Sequence, residues 1–432
     1  MREISPTVTA LQVGLASCAA YLLVYLTRYP VFMLPPDLSG FVLGRIYGAE
    51  VTAQEAMSLG FALGMALAKP AAVTVMSSPA FLNHRLLMLC VLTASAGLLA
   101  TVPVAVTGSP WAAVLGTFLG SFPASWIFGG LMAYIEGRRS TDVLCAALVF
   151  SFAFGGSAAR AVGLAVLQTG IPAHTMPVAI NLVAIPSIWL VLAILDAAPP
   201  ASAADRAGRG GRAPMTAAER GAFLRRFAPG LGLFALGYGL MVALRQFRDL
   251  FSRAVLTAAY GGSVPPASVV AILDLPGGIA TICLLSGFGF VSSNRGAVRS
   301  MQLAMAGLAA CTALTTVAWT QGLLGPVAWQ LVLGVGINGA IAFGSGSLFD
   351  RLLSASEVSG TCTFMIFLAD MCGYIGTLGI LGWKMLSSGS QEAVLPKFEQ
   401  AALLLPAGAA VAWALGAVAM EAGLALPVKK TD

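Results

Sequence analysis

The sequence predicts an all-α membrane protein with twelve transmembrane helices in two pseudo-symmetric six-helix bundles. Hydrophobic residues make up 58% of the 432 residues and charged residues only 10%, whereas soluble domains average about 25% charged residues. The mean hydropathy is +0.87. Long apolar runs recur along the whole chain, and one hydrophilic segment near the middle divides them six and six. These observations together predict the fold class.

Each predicted span is an apolar run of about 20 residues or more, the length that crosses a bilayer as a helix. The runs cover residues 8–34, 52–76, 84–106, 111–135, 142–169, 176–195, 229–256, 265–291, 298–320, 324–348, 359–386 and 400–426. The predicted parts are an N-terminal bundle (1–196), a cytoplasmic loop (197–227) and a C-terminal bundle (228–432). Within the loop, residues 216–227 have the composition of a short amphipathic helix on the membrane surface.

The distribution of basic residues predicts the orientation of the chain. Alternate connections, together with the span ends beside them, carry most of the basic residues: Arg85, Arg138, Arg139, the arginines of the central loop, Arg295, Arg299, Arg351, Lys429 and Lys430. Basic loops stay in the cytoplasm, so both termini and the central loop are expected there, in a bacterial inner membrane. The net charge of +6 is explained by this bias, and no nucleic-acid partner is expected. Apart from its substrate, the expected partner is the lipid bilayer, around a monomer.

Two arginines lie where the apolar helices should cross lipid. Arg28 lies in the first apolar run and Arg245 lies in the seventh, so each belongs to the helix that opens one half of the chain. A charge near the bilayer centre costs about 2.5–3.5 kcal/mol even on the lenient insertion scale, so such residues usually face a cavity or a partner. The alternative for each is a structural ion pair.

Two stretches carry a resemblance to a known family. YLTRYPVFMLPP, which ends the first span, and LRQFRDLFS, in the seventh, resemble segments of the organophosphate:phosphate antiporters, the glycerol-3-phosphate transporter group of the major facilitator superfamily. The resemblance implies that Arg28 and Arg245 bind phosphate. It also places Lys69 at a lysine of that group's second span, and Arg160 where the group carries a histidine. The stretches YIEGRRSTDVL, RFAPGL and LADMCGYIG resemble an uncharacterised bacterial family of major-facilitator-like proteins, which implies only the fold.

The predicted function is secondary transport of a small, phosphorylated anion by alternating access, with exchange as its mode. Guanidinium groups fork onto phosphate or carboxylate with two parallel hydrogen bonds, and four unpaired cations would repel one another without an anion. The predicted substrate-binding residues are Arg28, Arg245, Lys69, Arg160, Tyr25 and Tyr238. For Lys69 and Arg160 a structural ion pair is an equal alternative.

Acidic residues in or near the spans leave a proton-coupled symporter of a carboxylate or a neutral metabolite as an alternative. Asp249 lies four residues after Arg245 and is placed to neutralise it. Asp274 precedes Pro276, where the eighth helix can break and expose backbone. The predicted coupling or gating residues are Asp249, Asp274, Asp370, Arg248, Glu136 and Arg138.

Enzyme activity is not expected. The two histidines form no ligand cluster, the cysteines form no CxxC pair, and the sequence has no P-loop and no serine elbow with a matching acid and base. We therefore expect no cofactor and no metal. A third alternative is a membrane receptor of transporter fold that moves nothing.

Overall fold

The computed structural model describes residues 6–46, 49–76, 81, 83–135, 138, 141–200, 217–288, 290–356, 362–386 and 394–425. Apart from a four-residue helix, Pro36–Ser39, the α-helices of the described residues follow one another along the chain. They are α1 (Pro6–Leu26), α2 (Ala53–Met76), α3 (Arg85–Thr107), α4 (Pro110–Ile135), α5 (Thr141–Gln168), α6 (Met176–Asp196), α7 (Ala217–Leu250), α8 (Ser252–Ala259), α9 (Ala267–Ile272), α10 (Leu275–Phe288), α11 (Asn294–Thr320), α12 (Pro326–Ala342), α13 (Ser347–Ser356), α14 (Cys362–Leu386) and α15 (Val394–Ala425).

Four of the predicted spans are interrupted: the seventh at Phe251, between α7 and α8, and three others at a residue that disturbs helical backbone. After α1 the chain passes through a 3-10 turn, Pro30–Met33, whose first residue is a proline. The eighth span is split into α9 and α10 at Asp274, just before Pro276, because proline removes a backbone donor. The tenth is split into α12 and α13 by Gly346, whose φ of 142° lies in a region that favours glycine.

Eleven segments of the described residues are long and apolar enough to cross a membrane. Helix α2 is 24 residues long, a length sufficient to cross a bilayer, but it carries the charged residues Glu55 and Lys69 and is not one of the eleven. We call the face where α1 begins the near face and the opposite one the far face. A small antiparallel hairpin, β1 (Val42–Ile46) and β2 (Ala49–Thr52), lies between α1 and α2 on the far face.

The helices pack as two bundles. In the first bundle α1 packs on α5 and α6, and α4 packs on α2 and α3; in the second, α15 packs on α7 and α11, and α10 packs on α12. The bundles meet along two seams, α2 against α14 and α5 against α9 and α10. Helix α7 begins at Ala217 and continues without interruption to Leu250. The prediction of a separate surface helix over residues 216–227 is therefore wrong, because that segment extends the seventh span.

Candidate functional site

Arg28 lies just beyond the end of α1, deep between the helices. It is only 6% exposed, and its guanidinium carbon lies 4.9 Å, 5.5 Å and 5.7 Å from the ring centres of Tyr25, Tyr29 and Phe61. Its Nη1 contacts the sulfur of Met65 at 3.9 Å, and its Nε has no hydrogen-bond partner. No carboxylate of the described residues forms an ion pair with it. Arg28 is therefore a buried cation held by aromatic rings.

Arg245 reaches from the second bundle to the backbone of the first. Its Nη2 donates to the carbonyl oxygen of Phe152 on α5 at 2.5 Å, and its guanidinium carbon lies 3.8 Å from the centre of the Phe152 ring. The hydroxyl of Tyr25 donates to the same carbonyl at 3.2 Å. Because the Tyr25 ring also packs on Arg28, this tyrosine connects the two arginines that the sequence singles out.

Arg160 joins the bundles through two carboxylates. Its Nη1 lies 3.0 Å from Oδ1 of Asp249 and its Nη2 lies 3.3 Å from Oδ2 of Asp274. Arg160 is 1% exposed, and both aspartates are buried as well. The other oxygen of Asp249 lies 3.8 Å from Nε of Arg245 on the same helix. Asp249 thus lies between one arginine of each bundle.

Arg248 closes this network on the side of the second bundle. Its Nη1 donates to Oδ1 of Asp274, its Nε donates to the side-chain oxygen of Gln330 at 2.8 Å, and its Nη2 donates to the Gln330 carbonyl at 3.0 Å. Asp274 lies at the break between α9 and α10, which brings its carboxylate within reach of both Arg160 and Arg248. Every nitrogen of the Arg248 fork has a partner, so Arg248 positions Asp274.

Lys69 on α2 forms an ion pair across the other seam. Its Nζ lies 2.8 Å from Oδ2 of Asp370 on α14 and 3.5 Å from the carbonyl oxygen of Ser125. The Lys69 side chain is 5% exposed and that of Asp370 is 27% exposed. Three of the four cations expected to be unpaired, Lys69, Arg160 and Arg245, therefore have acidic partners. The prediction of exchange assumed four unpaired cations, and that assumption is wrong for these three.

The network retains an excess of positive charge. We call it the arginine cluster; it consists of Arg28, Arg160, Arg245, Arg248, Asp249 and Asp274. Within the part of the chain that the structure describes, four cations thus face two carboxylates, while Lys69 and Asp370 balance each other. An isolated charge is costly to bury. The cluster therefore favours a further anion.

The remaining predicted residues lie elsewhere. Tyr238 is buried in the second bundle, where its ring stacks on Phe234 at 5.6 Å. Arg138 is at the near face and donates to the carbonyl oxygens of Tyr134 and Pro199 at 3.1 Å and 2.7 Å, so it fixes the start of the central loop against α4. Glu136 lies outside the described residues.

Sequence reasoning missed the contacts that close the far face. Lys384 on α14 lies 2.5 Å from Oε1 of Glu55 on α2, and the side chain of Gln54 donates to the carbonyl oxygen of Leu250 at 2.5 Å. Arg253 on α8 donates to the carbonyl oxygen of Met33 at 2.7 Å. Asp370 and Lys384 are fourteen residues apart on α14, too far along the helix to pair with each other. The sequence did offer one signal for these contacts. The second and the eleventh predicted spans each carry one acidic and one basic residue.

The eleven long apolar helices define a multi-pass membrane protein, and its fold is the major facilitator fold. Two crystal structures of the nucleoside transporter NupG, one of them a point mutant, match 95% of the chain. The mutant aligns at a TM-score of 0.59 with 16% identity over 99% of its own chain, and the other aligns at 0.58 with 15% identity over 98%. No curated protein matches the sequence.

The family assignment comes from the sequence itself. Residues 46–420 match the profile of a family of unknown function, DUF5690, and the chain belongs to that family. The likeness to the organophosphate:phosphate antiporters finds no support in these matches.

Proposed function

We propose that the chain is a secondary active transporter that moves a small anion across the membrane by alternating access. The observation that carries this proposal is the arginine cluster, in which Arg28 is buried and forms no ion pair with any carboxylate of the described residues. The fold shared with a nucleoside transporter supports the transport class. In the proposed orientation the near face is cytoplasmic, because the basic connections lie there, and the membrane is a bacterial inner membrane.

A phosphorylated metabolite is the first candidate substrate. The cluster holds two more cations than carboxylates, which matches the charge of a phosphate dianion. A guanidinium group binds a phosphate through two parallel hydrogen bonds, and Arg28 has an Nε without a hydrogen-bond partner. Arg245 is hydrogen-bonded to a backbone carbonyl and lies 3.8 Å from Asp249, so it can exchange partners when an anion arrives. Arg28 and Arg245 are the proposed anchors.

A nucleoside is the second candidate. The matched structures are those of a nucleoside transporter, and the rings of Tyr25, Tyr29 and Phe61 surround Arg28. Aromatic rings can stack on any nucleobase, because every base has a π-face. A nucleoside is neutral, however, and leaves the charge of the cluster uncompensated.

Proton coupling has one candidate among the aspartates. Asp249 and Asp274 are buried and are each held by two arginines. Asp370 has one basic partner and is partly exposed, so Asp370 is the residue to test for proton uptake. Exchange remains the proposed mode, because two uncompensated cations oppose closure around an empty site.

Uptake by the purified protein in proteoliposomes tests the proposal. Labelled inorganic phosphate, a sugar phosphate, a nucleoside monophosphate and a nucleoside are offered with and without internal anion. We expect phosphate compounds to enter by exchange, and Arg28→Lys and Arg245→Lys to lower their uptake about 10- to 100-fold, since a hydrogen bond to a charged group contributes about 1.5–3 kcal/mol. Arg45→Lys is the matched control, because Arg45 pairs with Glu50 on the exposed hairpin.

Unchanged uptake in both variants removes the anion-binding role of the two arginines. If the nucleoside is taken up and the phosphate compounds are not, the nucleoside is the substrate. Uptake that follows a pH gradient and fails in Asp370→Asn supports symport. Thermal stabilisation by a ligand without any flux indicates a receptor.

A further inference from the structure

The far-face ends of α11 and α15 enclose a cavity of about 440 Å³. The two helices run antiparallel, because Arg299 near the start of α11 pairs with Glu421 near the end of α15 at 3.4 Å. At the other end the Trp319 indole of α11 donates to Glu399 of α15 at 2.7 Å. The volume lies within the range of small-molecule sites, about 300–1,000 Å³, and no residue of the arginine cluster lines it.

The cavity crosses the boundary between the headgroups and the hydrocarbon of the far-face leaflet. Helix α15 has 32 residues and is about 48 Å long at 1.5 Å per residue, whereas the hydrocarbon core of a bilayer is about 30 Å thick. A helix of this length centred on the bilayer has about six residues outside the hydrocarbon at each end. Lys397 and Glu399 are therefore at the depth of the headgroups, and Leu403, which lines the same cavity, is in the hydrocarbon.

Glu399 is a carboxylate at this depth that forms no ion pair with the described residues. Its Oε1 accepts the hydrogen bond from Trp319, whose ring stacks on that of Trp329 at 4.6 Å, so the carboxylate is held in place at the cavity wall. Within the described part of the chain, the glutamates that form ion pairs are Glu50, Glu55 and Glu421. Close to the hydrocarbon an anion is costly unless it is paired. Glu399 therefore favours a cationic group in the cavity.

Lys397 lines the same cavity from another side of α15. Residues two apart on a helix do not face each other, so Lys397 and Glu399 can bind different groups of one ligand. Thr320 and Gln400, which are both exposed, add a hydroxyl and an amide, and Leu403 makes the inner end of the cavity apolar. The lining thus combines one cation, one anion and an apolar end, which is the chemistry that matches a zwitterionic phospholipid.

We propose that the cavity binds the headgroup of a phospholipid of the far-face leaflet that carries a primary ammonium group. Glu399 accepts hydrogen bonds from the ammonium, Lys397 compensates the phosphate, and the acyl chains follow α15 past Leu403 toward the bilayer centre. A primary ammonium has three N–H donors and a quaternary ammonium has none, so the site selects the primary amine. The inference concerns a lipid and is independent of the transported substrate.

Native mass spectrometry of the full chain, purified in detergent, tests the site. Phosphatidylethanolamine, phosphatidylcholine and phosphatidylglycerol with identical acyl chains are added one at a time at equal concentration. We expect the first lipid to be retained about tenfold more than the other two, the factor that one hydrogen bond to a charged group provides. The free headgroup, glycerophosphoethanolamine, should not displace it, because the apolar area of the acyl chains contributes to binding.

Variants on α15 separate the roles of the two charges. Glu399→Gln keeps an oxygen that accepts from Trp319 and removes the anion, so it should lower the preference for phosphatidylethanolamine over phosphatidylglycerol about tenfold. Lys397→Gln should weaken the retention of both lipids, because both carry a phosphate. Glu50→Gln is the control, because Glu50 pairs with Arg45 on the exposed hairpin, and it should change the retention of neither lipid.

A variant on α11 keeps the test decisive if a charge variant is unstable. Thr320→Phe fills the cavity from the opposite helix without changing a charge, so it should lower the retention of phosphatidylethanolamine. Equal retention of the three lipids, an unchanged preference in Glu399→Gln, or full retention in Thr320→Phe overturns the proposal. Displacement of the lipid by glycerophosphoethanolamine also overturns it, because the ligand is then a soluble zwitterion.

Discussion

Replacing Arg28 by methionine separates a binding cation from a structural one. A residue that holds the fold together destabilises the protein when it is removed, whereas a residue kept for a ligand does not. Methionine is flexible, fills irregular spaces and contacts aromatic rings favourably, so it leaves the ring cluster around position 28 packed. Arg160→Met is the comparison, because Arg160 is buried at least as deeply and has two carboxylate partners.

The two variants are expected to change the free energy of unfolding in opposite directions. At Arg28 three ring contacts are lost at about 0.5–1 kcal/mol each, but the burial of an unpaired guanidinium, which costs several kcal/mol, is relieved. The result is a stabilisation of about 1–3 kcal/mol. Arg160→Met leaves Asp249 and Asp274 without their shared partner. Removing one partner of a buried pair costs about 3–5 kcal/mol, so this variant should be strongly destabilised.

Thermal unfolding of the purified variants in one detergent, followed by tryptophan fluorescence, measures both effects against the unmodified chain. We expect the Arg28→Met transition to lie at or above that of the unmodified chain and the Arg160→Met transition well below it. The same Arg28 variant should bind no phosphate compound in a thermal-shift titration. A comparable loss of stability in both variants refutes the reasoning, because Arg28 is then part of the structural network.

Three further changes test the packing and the polar network. Gly376→Ala should destabilise by about 1–3 kcal/mol, since its new methyl group meets a backbone carbonyl of α7, whereas Gly379→Ala, which meets nothing, should be neutral or slightly stabilising; thermal unfolding measures both. Arg248→Lys should lose about 1–3 kcal/mol, because a lysine cannot reproduce the fork that holds Asp274 and Gln330; a thermal transition equal to that of the unmodified chain would contradict this. Thr52→Ala should cost about 1 kcal/mol in the same thermal unfolding measurement, because the Thr52 hydroxyl accepts a hydrogen bond from the Glu55 nitrogen at the start of α2.

Span positions could be predicted closely because they depend on local composition. The run predicted over 84–106 became α3 (Arg85–Thr107), and that over 176–195 became α6 (Met176–Asp196). Helix ends were less predictable where the polar residues next to the apolar run can also be part of the helix. The last predicted span was placed at 400–426, but α15 begins at Val394, because its first turns are amphipathic and carry no run of apolar residues.

The pairing of the buried charges could not be predicted because it depends on contacts between distant helices. The spacing of Arg245 and Asp249 predicted their proximity, since residues four apart share a helix face. Nothing local indicates that Asp274 lies against Arg160, which is 114 residues away, or that Glu55 lies against Lys384. The number of intramembrane cations was therefore visible in the sequence, whereas the number without a partner was not.

The charge balance constrains the substrate more tightly than the fold does. With Lys69 and Asp370 neutral as a pair, a dianion compensates the arginine cluster fully and a neutral nucleoside leaves it two charges short. A nucleoside carrier built on this site would therefore have to admit an anion together with each nucleoside. A nucleoside monophosphate meets both demands in one molecule, because its base can stack on the rings around Arg28 while its phosphate binds the guanidinium groups. If the nucleoside monophosphate does not compete with inorganic phosphate for uptake, the rings serve only to hold Arg28 in place.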